Sequence, residues 1–518
     1  MAKHTGVRMI SNRYAVLAAA LCLGAIQAGA DEEKPRIRYK PLMLTGVQEV
    51  AQIQSGMLIS EPIQPMKKEW IDHFGSSLRA EAVVNDRLLL QLGLGGVFEN
   101  GKPERIDDKF GGSQYKMFFI GPTIAKATAM WGDPEKPSFT LGGGLFPFKY
   151  NPQAADLGEY LFRSGPYPTY VMNGGMLSIG DNGAYLEGFQ GSAHLGSLNV
   201  DLLAITETGM PPLYDWSIAI LADYTLGDGL LTLGAGVNFK RLIPVNKDRT
   251  SRKEGRNAYF TRGGITYVGD ETYYKKQADF YNYQIMHAAP GADTSIFVAK
   301  RNENKAKYDS LIGWQVPDPA NSDIKQYPDS IAPLKYFTPA GTVFMARANL
   351  DLKHLFNSEA LGHKDLMLFA EAALLGWTNY PIFFEKRAQR IPIMAGINLP
   401  TWKVLDLLSV QVEHLASPFQ NNTYSLGARN HATPWFPDGT DLNFSGNEYN
   451  DGAKKDDWAW SVLAQRSFYK SVTLSAQVAR DHLRTVGTDW YYGSRLEPTE
   501  DLHKISDWYW ALQLAWAI

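Results

Sequence analysis

Hydrophobic and polar residues alternate with a period of two along much of this chain. In 230–240 every second residue from Leu231 to Phe239 is apolar, and the residues between them are small or polar. The run 216–224 repeats the pattern, and Gly227-Asp228-Gly229 lies between the two runs as a turn. Such alternation predicts strands that have one apolar and one polar face and are joined as a hairpin.

About 15 segments share this alternation, some of them less cleanly. They are 77–84, 87–98, 114–130, 138–149, 184–195, 197–206, 216–225, 230–242, 342–355, 364–378, 390–399, 405–416, 458–467, 470–483 and 506–518. Most are about ten residues long, which suits a tilted strand that crosses the hydrocarbon layer of a membrane. Because a bacterial barrel has an even number of strands, we predict 14 or 16. The segment 364–378 is equally compatible with a helix.

The pattern predicts an all-β fold, a transmembrane antiparallel up-and-down β-barrel with long extracellular loops. The links at Asn85-Asp86 and Gly196 are tight, whereas 246–339 and 417–457 are long and polar. Short turns on one side and long loops on the other are typical of an outer-membrane barrel, and a soluble sandwich gives no reason for them.

The regions outside the strands divide the chain further. Residues 31–76 show little alternation and several prolines, and we interpret them as a periplasmic or plug-like N-terminal segment that precedes a barrel at 77–518. An insertion as long as 246–339 needs structure of its own, and 264–274 is a candidate for an extra hairpin.

Residues 1–30 predict a secretory signal peptide. Lys3, Arg8 and Arg13 give a positive start, 14–26 is apolar, and Ala28-Gly29-Ala30 provides an A-x-A cleavage site. The alternative is a buried N-terminal helix. The single cysteine, Cys22, lies within this segment, so we expect no disulfide and no thiol chemistry in the mature chain.

Composition excludes several classes of protein. With 12% aromatic residues and a net charge of −3, the 518-residue chain can bury a core and lacks the basic surface of a nucleic-acid-binding protein. The mean hydropathy is −0.25, and no run of 18 apolar residues predicts a membrane-spanning helix. Zinc, calcium, phosphate-loop and serine-nucleophile motifs are missing from the sequence. We therefore expect no metal, no cofactor, no nucleic-acid partner and no enzymatic activity.

The last segment carries a family resemblance. Trp508, Trp510 and Trp516 fall on the apolar face of 508–518, which suits aromatic side chains at a membrane interface. A chain that finishes as such a strand resembles the Gram-negative outer-membrane porins, although Ile518 stands where that family usually has an aromatic residue. The resemblance implies export to the outer membrane of a Gram-negative bacterium. It also implies contact with outer-membrane lipid and the outer-membrane assembly machinery, and a homo-oligomer, since such barrels are often trimers.

A second resemblance covers 138–170. A strand rich in small residues runs into Phe146-Pro147-Phe148, which is similar to the third strand and constriction loop of phosphate-selective and related porins. The stretch Leu157 to Arg163 is also similar to outer-membrane barrels of fibre-degrading bacteria whose function is unknown. The resemblance implies a loop folded into the lumen, whose pore constriction would be formed by Lys149, Glu159, Tyr160, Arg163 and Tyr167. Opposite charges there would select ions by size and sign. The alternative is a surface loop closed by a salt bridge.

Further charged residues fall on the polar face of their strands. These are Lys126, Lys240, Arg347, Lys353 and Glu371. A Lys or Arg that faces lipid at mid-depth costs roughly 2–4 kcal/mol, so we predict that they face the lumen or lie near a rim. Their mixed signs indicate neither an anion nor a cation preference, and simple paired charges in a solvated lumen are the alternative.

Three functional hypotheses follow. The first is a porin-like channel for passive diffusion of small hydrophilic solutes or ions, without a chemical step. The alternative is a plugged or structural outer-membrane barrel whose long loops bind a surface, a polysaccharide or a partner protein. A hydrolase built on a pair of carboxylates is a third and weaker hypothesis.

Overall fold

The computed structural model describes most of the chain. The described residues are 36–58, 64–102, 115–154, 157–162, 184–207, 214–245, 258–268, 271–314, 316–318, 321–326, 335–336, 340–356, 359–378, 384, 386–416, 457–469, 471–481, 483–489, 495–500, 502 and 504–518. The signal peptide predicted at 1–30 and the loop 417–457, except Asp457, lie outside them.

The described residues form sixteen barrel strands. In chain order they are β1 (Met43–Leu58), β2 (Glu69–Val84), β3 (Leu88–Lys102), β4 (Tyr115–Gly132), β5 (Pro137–Phe148), β6 (Ala184–Leu195), β7 (Leu198–Thr206), β8 (Trp216–Leu226), β9 (Leu231–Ile243), β10 (Gly341–Asp351), β11 (Met367–Leu374), β12 (Ile393–Asn398), β13 (Leu407–His414), β14 (Trp458–Phe468), β15 (Val472–Arg480) and β16 (Trp508–Ala517). Each strand pairs antiparallel with the next. β16 pairs with β1 from Thr45↔Ala517 to Ser55↔Trp508, which closes the sheet into a barrel. Within the described residues, no helix is long and apolar enough to cross a membrane.

The all-β barrel and the strand number of 14 or 16 are confirmed. Each of the 15 predicted segments overlaps one barrel strand, and 364–378 contains a strand, not a helix. The missed strand is β1, so the assignment of 31–76 to a periplasmic or plug-like segment is wrong over 43–58, and β2 begins at Glu69 instead of residue 77. The sequence signal failed here because β1 has apolar and polar residues on both faces, with Val47 and Glu49 on one and Gln48 and Val50 on the other.

The two ends of the barrel differ in the length of their links. At one end, here called the short-turn end, Asn85-Asp86-Arg87 joins β2 to β3 and Gly196-Ser197 joins β6 to β7. The longest link at this end is 352–366. The opposite, long-loop end carries 149–183, 244–340, 415–457 and 481–507. The predicted asymmetry of the links is therefore present in the fold.

The strands present an apolar outer face. Residues directly opposite each other in paired strands share a face. Exposed Leu92, Leu202 and Leu512 therefore mark the outer face of β3, β7 and β16. Trp508, Trp510 and Trp516 also lie on the outer face, where Trp510 packs edge-on against Trp70 at 5.3 Å and Trp516 lies 6.1 Å from Phe74. Their predicted role at the membrane interface stays a prediction.

The insertion 246–339 is structured in its described part. A hairpin of Ala258–Arg262 and Ile265–Val268 turns at Gly263-Gly264, and Lys335–Tyr336 pairs with its first strand. It is followed by two helices, α1 (Glu271–Met286) and α2 (Ser295–Trp314). The prediction of a hairpin at 264–274 is thus displaced, because 271–274 belongs to α1. Aromatic residues such as Tyr273 and Tyr274 favour strands intrinsically, but here Tyr274 is buried in a packed helix.

Short elements complete the described residues. Ile37–Tyr39 pairs with the end of β2, and Gln64–Met66 pairs with the end of β1. Val316–Asp318 pairs with Asn321–Gln326, and Arg484–Asp489 pairs with Arg495–Glu500 in the link between β15 and β16.

Candidate functional site

The segment after β5 folds into the barrel. Its described residues, 149–154 and 157–162, end in a short 3₁₀ turn at Tyr160–Phe162, and Tyr160 and Leu161 are fully buried. We call these residues the in-folded segment. They pack into an apolar cluster with side chains from the inner faces of β5, β10 and β11, among them Phe146, Met345 and Phe369.

Glu371 of β11 is the centre of the attachment. Its carboxylate accepts hydrogen bonds from the Tyr150 hydroxyl (2.5 Å), the Asn151 side-chain amide (2.8 Å) and the Tyr160 backbone N–H (3.0 Å). Glu371 is only 1% exposed, so these bonds replace water around a charge-bearing group. Hydrogen bonds to a carboxylate are stronger than those between neutral groups, which makes Glu371 the main polar anchor of the segment.

Other strands hold the segment at further points. The Tyr160 hydroxyl donates to Glu413 of β13 at 2.7 Å, and the Asn238 amide of β9 donates to the Leu161 carbonyl at 3.0 Å. Within the segment, the Asn151 backbone N–H donates to the Glu159 carboxylate. The segment is therefore fixed against the wall formed by β9 to β13.

A glycine allows the close approach to that wall. Gly158 has φ +91°, and a Cβ atom there would lie 2.6 Å from the terminal methyl group of Met394 and 3.3 Å from the Glu371 carboxylate. Glycine meets both demands, because it tolerates positive φ and has no side chain.

The predicted constriction residues fall into two groups. Lys149 is partly buried and donates to the Ala154 carbonyl, while Glu159 and Tyr160 are buried against the wall. Arg163 and Tyr167 lie outside the described residues. The burial of Glu159 and Tyr160 favours a role in attaching the segment, so a constriction that involves Lys149, Arg163 and Tyr167 stays a prediction.

A belt of polar side chains follows the inner wall nearer the short-turn end. It consists of Lys126, Gln190, Asp201, Asp223 and Arg347, from β4, β6, β7, β8 and β10, and we call it the charged belt. Lys126 Nζ donates to the Gln190 side-chain oxygen at 2.6 Å, and the Gln190 amide donates to Asp201 at 3.1 Å. Arg347 pairs with Asp223 at 2.7 Å.

Glycines let the belt cross intervening strands. Gly144 of β5 lies opposite Lys126, and Gly234 of β9 lies between Asp223 and Arg347. A Cβ atom at Gly234 would meet the side chains of Asp223 and Arg347, and one at Gly142 of β5 would lie 3.0 Å from Lys126 Cε. The side chains of the belt therefore lie along the wall. Arg347 is buried, whereas the other four are partly exposed, with the Asp223 side chain 23% exposed.

The remaining predicted lumen charges lie elsewhere. Lys240 is on the inner face of β9 toward the long-loop end and is buried next to Arg241. Lys353 is in the turn after β10, where its Nζ lies 3.5 Å from Asp351 at the short-turn end. Glu371 anchors the in-folded segment. Of the five predicted positions, Lys126 and Arg347 thus share the charged belt, and the functional role of all five stays a prediction. Among the described residues, no group of three or more His, Cys, Asp or Glu side chains suits a metal ion.

Comparison with known proteins gives structural likeness alone. No family model and no curated protein matches the sequence. Among solved structures, a mutant of the Rh. blastica porin is 8% identical, with a TM-score of 0.38, over 93% of this chain and 100% of that chain. The high-pH structure of Pseudomonas putida OprB is 10% identical, with a TM-score of 0.40, over 93% of this chain and 94% of that chain.

The barrel itself decides the fold class. Sixteen antiparallel strands close on themselves, with an apolar outer face, tight turns at one end and long loops at the other. This is a porin-like outer-membrane barrel.

Sequence reasoning missed several residues of this porin-like barrel's interior. Tyr150 and Asn151 bind Glu371 from 221 and 220 residues away, and Glu413 binds Tyr160 from 253 residues away. A single sequence holds no signal for such distant pairs. One sequence signal did point to the interior. Glycines occupy inward-facing positions of β5 and β9, next to charged positions in the neighbouring strands.

Proposed function

We propose that the protein is a channel in the outer membrane of a Gram-negative bacterium, through which small hydrophilic solutes or ions diffuse passively. The observation that carries this proposal is the opposite chemistry of the two faces of one closed barrel. The outer face is apolar, and the inner face carries the charged belt with side chains that water reaches. A barrel of 16 strands is wide enough to leave an aqueous channel.

The in-folded segment supports a filter within this channel. It takes up space beside β9 to β13, so solutes would pass between it and the opposite inner wall. The inner wall that continues from β13 carries amides and hydroxyls at Gln465, Ser475 and Gln513, together with Glu49. On β2, across the lumen, Arg79 and Glu81 form an ion pair at 3.0 Å. A passage lined by paired charges and neutral polar groups would admit polar solutes and discriminate by size more than by sign.

The charge arrangement favours weak ion selectivity. In the charged belt two cations, Lys126 and Arg347, accompany two anions, Asp201 and Asp223. Opposite charges that are paired along a wall largely cancel at a distance. We therefore expect a reversal potential close to zero in a salt gradient.

The test is single-channel conductance of the chain from Asp31 to Ile518, refolded and inserted in a planar bilayer. Stable current steps support the channel. A protein that inserts as a heat-modifiable barrel but stays electrically silent would overturn it. The control is protein from the same preparation that has been unfolded by heat before it is added to the bilayer.

One observation favours the alternative of a plugged or structural barrel. Toward the long-loop end, apolar residues also cover the inner wall opposite the in-folded segment, where Ile53, Ile71, Leu483, Leu502 and Tyr509 form a buried cluster. Under this alternative the long loops, including α1 and α2, would bind a surface, a polysaccharide or a partner protein. A barrel that folds and inserts into the bilayer but conducts no current would favour this alternative.

A further inference from the structure

Several charges on the described inner wall lie directly beside a partner of opposite sign. Arg347 and Asp223 form the ion pair at 2.7 Å, and on β2 the Arg79 side chain lies 3.0 Å from Glu81. Opposite charges this close largely cancel for a group that passes at a distance. These two pairs therefore attract a charged solute only weakly.

Lys126 of β4 and Asp201 of β7 are different. In the described part of the chain, neither residue belongs to an ion pair. Each is hydrogen-bonded instead to the uncharged side chain of Gln190, at 2.6 Å from Lys126 Nζ and at 3.1 Å from Asp201 Oδ1. The wall thus presents a cation and an anion that are held one amide group apart.

Both charged groups keep hydrogen-bonding capacity that the chain does not use. An ammonium group has three N–H donors. Lys126 directs one to Gln190, and its Nζ lies 4.2 Å from the centre of the Phe146 ring. Asp201 accepts bonds from Gln190 and Ser192, and both bonds end at Oδ1, so Oδ2 can still accept. Lys126, Gln190 and Asp201 are all partly exposed, so a solute in the lumen can reach them.

Glycines leave the wall open around these groups. On the inner face, Gly144 of β5 lies opposite Lys126 and Gly188, and Gly142 lies opposite Gln190. A Cβ atom at Gly142 would lie 3.0 Å from Lys126 Cε, so the lysine side chain crosses β5 at this point. Because these three glycines have no side chains, nothing at their positions covers the lysine from the lumen.

We propose that Lys126, Gln190 and Asp201 form a binding subsite for small zwitterionic solutes of the amino-acid class. The carboxylate of the solute accepts from Lys126 Nζ, and its ammonium group donates to Asp201 Oδ2. Such charge-assisted hydrogen bonds are stronger than bonds between neutral groups. A zwitterion carries no net charge, which agrees with the balanced signs of the charged belt.

The Gln190 amide supports this orientation of the solute. A lysine ammonium only donates and an ionised aspartate only accepts, so the amide oxygen must face Lys126 and the NH₂ group must face Asp201. The amide therefore has the polarity of a bound amino acid, with its acceptor toward the cation and its donor toward the anion. A zwitterion that lies over Gln190 repeats this arrangement with full charges.

This inference rests on the proposed channel, and its test separates the two. The chain from Asp31 to Ile518 is inserted in a planar bilayer, and its current in constant potassium chloride at neutral pH is titrated with four solutes of similar size. Glycine carries both charges, glycolate only the carboxylate, ethanolamine only the ammonium group, and glycolamide neither. The measured quantity is the solute concentration that gives half of the maximal reduction in current.

We expect this concentration to be about tenfold lower for glycine than for glycolamide, because only glycine contacts both Lys126 and Asp201 through charges. Equal concentrations for the two solutes in a conducting barrel would overturn the subsite and leave the channel standing. A barrel that inserts but carries no current would overturn the channel, and the subsite with it.

Two substitutions test the two charges separately. Lys126→Gln should weaken the effects of glycine and glycolate about tenfold without weakening that of ethanolamine, since only the cation is lost. Asp201→Asn should weaken glycine and ethanolamine without weakening glycolate. If only one substitution affects glycine, the wall holds a simple anion or cation site, and the zwitterion subsite is ruled out.

The matched control is Lys136→Gln. It removes the same charge from the exposed turn between β4 and β5, and all four concentrations should stay at their wild-type values. Heat-modifiable migration of each variant is checked before the titration, so that a failure to fold is separated from a loss of binding.

Discussion

Arg347 and Asp223 form an ion pair across a strand to which neither belongs. Arg347 Nη2 lies 2.7 Å from Asp223 Oδ2, and Gly234 of β9 lies beneath the pair. A Cβ atom at Gly234 would overlap the Asp223 carboxylate and lie 2.8 Å from Arg347 Cγ. The ion pair between Arg347 and Asp223 therefore requires glycine at position 234.

The first prediction concerns this glycine. We expect Gly234→Ala to lower the free energy of unfolding by about 1–3 kcal/mol, since the added methyl group must push the pair off the wall. The measurement is urea unfolding in lipid bilayers, followed by heat-modifiable migration. The matched control is Gly191→Ala, where the nearest atoms to an added Cβ lie 3.9 Å away. An equal effect of both substitutions would contradict the argument.

The second prediction concerns ion selectivity. Arg347→Gln leaves the Asp223 carboxylate without its cation, and the reversal potential should shift in the direction of cation preference. Asp223→Asn should shift it in the direction of anion preference, because Arg347 is then left with a neutral partner. Both are measured in a salt gradient across a planar bilayer. If the reversal potentials of both variants shift with the same sign, the charges of Arg347 and Asp223 do not determine the electrostatic field in this part of the lumen.

The third prediction concerns the attachment of the in-folded segment. Glu371→Ala removes the acceptor of three hydrogen bonds, and we expect a loss of about 3 kcal/mol or more in unfolding free energy. Tyr160→Phe removes one bond to Glu413 and should cost about 1–2 kcal/mol. The control Tyr224→Phe changes a hydroxyl on the outer face, where Tyr224 is 48% exposed, and should be nearly neutral.

Conductance provides a second measure of the same attachment. A segment released from Glu371 should move within the lumen, so open-channel noise should increase in Glu371→Ala and stay low in Tyr224→Phe. Quiet current in Glu371→Ala, together with an unchanged step size, would mean that the segment keeps its position without Glu371.

The fourth prediction concerns pH and the turn after β10. Burial by itself would raise the pKa of the Asp365 carboxyl, but hydrogen bonds from the Gly362 and Thr401 backbone N–H groups and the Thr401 hydroxyl outweigh it and lower the pKa. Its stabilising contribution is therefore complete above the unfolded pKa of about 4 and is lost as the pH falls through the lower folded pKa. Asp365→Asn should be less stable than the wild-type chain at pH 7.

That difference should shrink in strong acid, where both side chains are neutral. Unfolding free energies of the two proteins at pH 7 and at low pH provide the measurement. A stability difference that stays constant over this range would assign the effect of the substitution to packing instead of charge.

Local alternation was enough to predict most of the barrel. The runs 216–224 and 230–240 have the faces that the pattern predicts, because a period of two maps directly onto the two sides of a strand. β1 was missed because its outward face carries Gln48 and Gln52, which removes the contrast between faces. The helices α1 and α2 were missed because their aromatic and charged residues show no strong helical period.

The interior could be predicted only in part. Lys126 and Arg347 were found because a charge on an otherwise alternating strand has few acceptable places in a membrane. The role of Glu371 was not found, because it depends on Tyr150, Asn151 and Tyr160, which are more than 200 residues away. Contacts of that range become visible only when the closed sheet brings β5 opposite β11.

The distance along the chain between the in-folded segment and Glu371 also constrains the order of assembly. The in-folded segment packs against the wall formed by β9 to β13. That wall does not exist until those strands have joined the sheet. Closing a loop of 211 residues is entropically costly in an unpaired chain, and the pairing of successive strands from β5 through β11 removes most of that cost beforehand. The segment must therefore enter late, as one of the last events in the maturation of a barrel that is already largely built.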